Sequence, residues 1–143
     1  MQKPLPKSEN SLLIRTDFST DSDWSKLRSA SEALNEDGFQ ANLTVIDDVE
    51  YAGLSVAQLI ELKPSGEQRG EHSFAFLADA TSHTNPEHPI LVVELRENPG
   101  QVFRVIPTEL WSVENNLALG NMDFKDFAHS VDADDVFRGW PKT

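Results

Sequence analysis

The stretch FQANLTVIDDVEYAGLSVAQLIEL, residues 39–62, decides the fold class. Its first half alternates Phe39, Ala41, Leu43 and Val45 with Gln40, Asn42 and Thr44 over Phe39–Ile46, and a period of two is that of a strand with one face on a core. Its second half is a helix whose start is written into the sequence. Ser55 and Gln58 make a capping box, and Leu54 and Leu59 stand where a hydrophobic staple packs. The helix closes near Leu62, because the residue before Pro64 is pushed out of the helical region. A strand feeding a helix is half of a βαβ unit, and the flanks supply the rest.

Upstream, residues 1–10 read as a flexible arm and residues 11–143 as one domain. Ser11–Thr16 (SLLIRT) is an apolar run of strand length. Thr20 with Asp23 caps a helix that carries Trp24, Leu27, Ser31 and Leu34 on one face and ends before Gly38. Downstream, Pro64–Glu71 is a polar loop, Ser73–Leu77 a strand, and residues 80–89 an irregular loop. Ile90–Leu95 and Val102–Ile106 flank Asn98-Pro99-Gly100, where Pro then Gly at the central positions is type II turn chemistry. The chain turns helical at Pro107, in a segment holding Trp111, Leu117 and Leu119 that breaks at Gly120. A further helix carries Phe124, Phe127, Ala128 and Val131, and the tail docks Phe137 and Trp140. Strand, helix, strand, helix, strand, then a hairpin and helices predict a single α/β (or α+β) domain. Its mixed sheet has about five strands, parallel early and antiparallel late.

Charge is concentrated rather than spread. The 143 residues carry a formal charge of −12. Residues 29–62 hold seven acids and no Lys or Arg, and residues 105–137 hold seven acids against Lys125 alone. Such a field steers cationic partners and argues against a phosphate-backbone ligand, which needs a basic surface. Cysteine is absent, which excludes disulfides, thiol catalysis and Cys-based metal sites. The N-terminal segment lacks the apolar core of a signal peptide, and no run reaches the ~18 apolar residues of a membrane span. The expectation is a cytoplasmic protein with no membrane and no nucleic-acid partner.

Three constellations bear on chemistry. Asp17, Asp47, Asp48 and Asp79 each follow a strand. Carboxylates converging at strand ends are the donor set for Mg²⁺ and phosphoryl chemistry, although Asp is also an ordinary turn and cap residue. His83 and His88 with Glu87 offer zinc-type ligands, but with no HExxH spacing and no third histidine, surface histidines are the simpler account. The segment from Arg104 to Phe127 places Asn115, Asn116 and Asn121 among large apolar groups, as helix caps or as a polar contact to another molecule. Neither GxSxG, nor a P-loop, nor GxGxxG occurs.

Taken with Leu13–Phe18, Trp24, Val45–Asp48, Tyr51 and Phe137–Gly139, the runs IPTELWSVENNL (106–117) and NMDF (121–124) carry a resemblance. The chain resembles, over roughly residues 4–140, a family of small acidic bacterial proteins of unknown function, of the actinobacterial type. The ENNL…NMDF style is also similar to segments of polymorphic-toxin immunity proteins. The resemblance implies one stand-alone domain and no activity to carry over.

The sequence therefore points to an acidic binding module, most concretely an immunity or inhibitor protein for a basic partner such as a toxin. The residues expected to meet that partner are Asp47, Asp48, Glu50, Tyr51, Glu109, Trp111, Glu114, Asn115 and Asn116, since aromatics beside carboxylates make hot spots. No catalytic residue, metal ligand or cofactor is assigned. The alternative is a small metal-assisted hydrolase or phospho-acceptor built on the strand-end carboxylates.

Overall fold

The computed structural model describes residues 4–62 and 72–140, and the loop expected at 64–71 lies outside them apart from its surroundings. The chain runs β1 (Ser11–Arg15), α1 (Asp21–Glu32), β2 (Leu43–Ile46), α2 (Val56–Leu62), β3 (Phe74–Ala78), α3 (Ala80–Thr84), β4 (Ile90–Glu94), β5 (Val102–Val105), α4 (Leu110–Ala118), α5 (Phe124–Ala128) and β6 (Val136–Phe137). Single 3₁₀ turns lie at Val49–Tyr51 and Pro107–Glu109. The strands form one mixed sheet in the order β2-β1-β3-β4-β5-β6.

β1 pairs in parallel with both β2 and β3, while β3–β4 and β4–β5 are antiparallel. The first crossover steps outward to β2 and the second steps back across β1 to β3. Two crossovers of one hand running in opposite directions put their helices on opposite faces. Accordingly Trp24 and Leu27 of α1 pack on one face with Leu110, Val113, Phe124 and Phe127 of α4 and α5. Leu59 of α2 packs on the other with Tyr51, Leu54 and Leu5. Buried on both sides, β1 and β3 contain no exposed position. Phe76, Phe127 and Phe137 are fully buried, and each contributes about 1.5–3 kcal/mol of apolar burial.

Four features depart from the sequence reading. The sheet has six strands rather than five, because the tail not only docks Phe137 but pairs Arg104 and Val105 with Val136 and Phe137 in parallel. The arm is held over its described part: Leu5 is buried, Tyr51 donates its hydroxyl to the Pro4 carbonyl at 3.0 Å, and Ser8 and Thr44 hydroxyls meet at 2.7 Å. Residues 80–84, expected irregular, are α3, started by a capping box between Asp79 and Ser82. β2 begins at Leu43 rather than Phe39, for a reason given below. No helix among the described residues is long and apolar enough to cross a membrane.

Candidate functional site

Each strand-end carboxylate is engaged by a different group: Asp47 by Arg15, Asp17 by His83, Asp79 by Arg104 and Asp48 by a backbone N–H. Arg15, at the end of β1, has a side chain only 5% exposed. It donates to Asp21 Oδ1 at 2.7 Å and to Asp47 Oδ1 at 3.3 Å, and its guanidinium lies over the Phe18 and Trp24 rings. Asp17 meets His83 Nδ1 at 2.9 Å and accepts from Ser19. The His83 bond, aided by that from Ser19, outweighs burial and holds the Asp17 carboxyl below its usual range. Asp79 accepts both arms of the Arg104 fork at 2.9 and 2.8 Å and also caps α3. Burial pushes Asp79 up, but Arg104 and Ser82 more than offset it, and the carboxyl is held low. Asp48 turns its side chain to the Glu50 backbone N–H as the cap of the 3₁₀ turn.

These groups therefore do not share a ligand position. Among the described residues, no group of three or more His, Asp or Glu side chains is arranged to hold a metal ion. A concave space of about 450 Å³ lies at the other end of the sheet, lined by Asn10, Ser11, His72, Phe74, Arg96 and Leu117–Gly120. None of the four aspartates lines it. His88 bonds the Ser82 carbonyl, and Glu87 is taken by Arg138, so the His83–Glu87–His88 set is dispersed.

The Trp111–Asn116 run does something different from what its composition suggests. Glu114, 1% exposed, accepts from the Asn42 N–H and from the Ser11 hydroxyl, each at 2.7 Å. Asn115 donates to the Gln40 carbonyl at 3.1 Å and to Glu114 Oε1 at 2.9 Å. Asn116 donates to the Ser112 carbonyl, and its own carbonyl accepts from Asn121 and Met122, which closes α4 at Gly120. Thus α4 grips the connector at the Gln40 carbonyl and the Asn42 N–H, and β1 is left with only the Asn42 carbonyl from this stretch. This is why β2 starts at Leu43.

Held in this way, Phe39 faces outward. Its ring stacks on Trp111 with centroids 5.2 Å apart and planes 11° from parallel, and Phe39 remains 51% exposed. The preceding turn is fixed by Asn35, whose side-chain oxygen accepts from the N–H groups of both Asp37 and Phe39. That turn presents exposed Glu36 and Asp37 beside the aromatic pair, and Leu34, 62% exposed, precedes it.

The expected contact residues divide accordingly. Asp47 and Glu50 are exposed and Trp111 is half-buried against Phe39. Tyr51 and Glu114 are buried, Asn115 and Asn116 are spent on backbone carbonyls, and Glu109 lies against Gly139 in the tail. Tyr51 and Glu114 are closed off by burial, while Glu109, Asn115 and Asn116 stay part-exposed and are engaged within the fold. Leu34, Glu36, Asp37 and Phe39 were outside the expected set. The alternation of 39–45 assigns Phe39 to the inward face of a strand, and it is overridden by contacts of the connector with α4, among them the bond from Asn42 to Glu114, 72 residues on, and the stack on Trp111.

Residues 10–140 match the family described as a domain of unknown function, DUF6924. No curated protein matches the chain.

Proposed function

We propose that this chain, which belongs to the DUF6924 family, is a protein-binding module that takes a cationic protein partner on the face around Phe39. The carrying observation is the stacked Phe39–Trp111 pair, left half open in a segment, residues 29–62, with acids and no Lys or Arg. A preorganised aromatic surface flanked by Glu36 and Asp37 combines the residue types of an interface hot spot with electrostatic steering. Holding the ring by backbone bonds from α4 lowers the ordering cost of binding. The concrete form is an immunity or inhibitor protein that covers the basic active site of a bacterial toxin. A nuclease is the fitting class, since its cleft is built to hold phosphates and an acidic protein complements it.

The reading is tested by capturing the tagged protein from its native cells at low and moderate salt, with mass spectrometry of what co-elutes. A stoichiometric basic partner, weakened by salt and lost from Phe39→Ala and from Glu36→Lys/Asp37→Lys, is the expected result. Capture of a partner that both variants retain moves the interface elsewhere. A partnerless protein at both salts overturns the reading.

A further inference from the structure

β2 is the outer strand at one end of the sheet. Ser11 N–H donates to the Asn42 carbonyl at 2.9 Å, and the parallel register sets Ser11 opposite Leu43. In a parallel ladder alternate residues bond each neighbour. The Asn42 carbonyl and the backbone groups of Thr44 and Ile46 therefore face β1, while Leu43 and Val45 turn theirs away from the sheet. Among the described residues β2 pairs with no other strand. The Leu43 and Val45 side chains pack on the core face, which holds the strand flat and in register.

Exposed edges are usually blunted by Lys, Pro, a bulge or extreme shortness. The opposite edge, β6, is two residues long and flanked by Asp132 and Asp134, both bound to Arg138. β2 has four residues, without Lys, Arg, Pro or Gly. Its two ends carry exposed acids, Glu36 and Asp37 before it and Asp47 and Glu50 after it.

We infer that the β2 edge accepts an extended, Lys/Arg-bearing segment of a partner protein as an added strand. The backbone of Leu43 and Val45 makes the hydrogen bonds, and the flanking acids select basic side chains. Main-chain pairing supplies affinity in this mode and the flanking groups supply specificity. The inference rests on the proposal that the partner is a cationic protein, and adds how part of it is held.

The probe is a short acetylated peptide of alternating lysine and valine, with an alternating glutamate–valine control and an N-methylated lysine–valine version of equal charge. Expected are salt-dependent binding of the lysine–valine peptide, slowed amide exchange at Leu43 and Val45, and no binding by the other two. Val45→Pro removes an outward N–H that the native ladder does not use, and an unchanged thermal melt and Phe39–Trp111 fluorescence are required before its binding is read. The substitution should weaken the peptide about tenfold, the loss of one or two hydrogen bonds. Equal binding by the N-methylated peptide, protection at other amides, or no binding of the lysine–valine peptide overturns the inference. The two proposals also separate in cells. A captured partner lost from Phe39→Ala but kept by Val45→Pro leaves the acidic aromatic face standing and removes strand addition. A partner lost from both supports each.

Discussion

Glu114 and Asn42 are joined at 2.7 Å across 72 residues of chain, with the second Glu114 oxygen on Ser11 at the same distance. One buried carboxylate thus fixes the start of β1, the start of β2 and the connector that presents Phe39. It accepts three bonds, from Ser11, Asn42 and Asn115, all from groups of the chain itself.

Glu114→Ala strips acceptors from a backbone N–H and a buried hydroxyl, and each unmet donor costs about 1–3 kcal/mol. The expected loss is about 2–4 kcal/mol of unfolding free energy, read as a lower denaturant midpoint, with faster amide exchange at Asn42. Glu114→Gln keeps one acceptor oxygen and should fall between. An unchanged midpoint for the alanine variant would show that the connector is held by something other than α4.

What could be read in the sequence follows from how local each signal is. The Ser55–Gln58 box forms as expected, each side chain meeting the other's backbone N–H. The hairpin turn closes with Gln101 N–H on the Asn98 carbonyl and Gly100 at φ +97°. Both signals lie within a few residues of chain. α3 was hidden because its box is completed by Ser82, where Glu or Gln is the usual signal. β6 was hidden because two residues carry no periodicity, and its pairing with β5 is set by Phe127 and Trp140 packing on Phe137. The exposed aromatic pair was hidden because alternation assigns Phe39 inward, and the contact that turns it outward is made by α4.

Asp79 and Asp17 give the molecule an acid sensitivity whose sign is fixed. Both carboxyls are held below their ordinary values, Asp79 against its own burial. A depressed folded-state value means the stabilisation is present above about pH 4, the unfolded carboxylate range, and is lost as pH falls through the folded values. Melting temperature should therefore drop below about pH 4, and Asp79→Asn should flatten that drop. The variant also loses the Arg104 fork while keeping an α3 cap, so it should be less stable at neutral pH. An equally steep acid profile in the variant would place the sensitivity in other groups.

His83 carries a tautomer that can be read directly. Asp17 accepts at Nδ1, and an ionised carboxylate offers only acceptors, so Nδ1 bears the hydrogen. Nε2 is buried and meets no partner among the described residues. A proton there would be desolvated without an acceptor. Ring ¹⁵N shifts of the neutral imidazole should show Nδ1 protonated and Nε2 bare, the less common form in solution. In Asp17→Ala the preference should fade or reverse. Nε2 protonation in the wild-type ring would contradict this geometry.

Arg138 collects three carboxylates at the surface: Glu87 at 2.8 Å, Asp132 at 2.7 Å and Asp134 at 2.6 Å. The bonds to Glu87 and Asp134 are forked, and they tie the residue after β6 to the loop before β4. The Arg138 bonds hold Glu87 and Asp134 below their usual values, and the carboxylates in turn raise Arg138. An isolated exposed pair contributes little. Here, however, removing one cation leaves three like charges facing one another. Arg138→Ala should therefore lower the melting temperature measurably at low salt. The gap should narrow at about 1 M NaCl, where the Debye length is about 3 Å. It should narrow again below about pH 4, where the carboxylates take up protons and the repulsion disappears. Arg138→Lys should recover only part of the gap, because an ammonium cannot make two forks at once. A gap that ignores both salt and acid would mean that the apolar stem of Arg138 matters more than its charge.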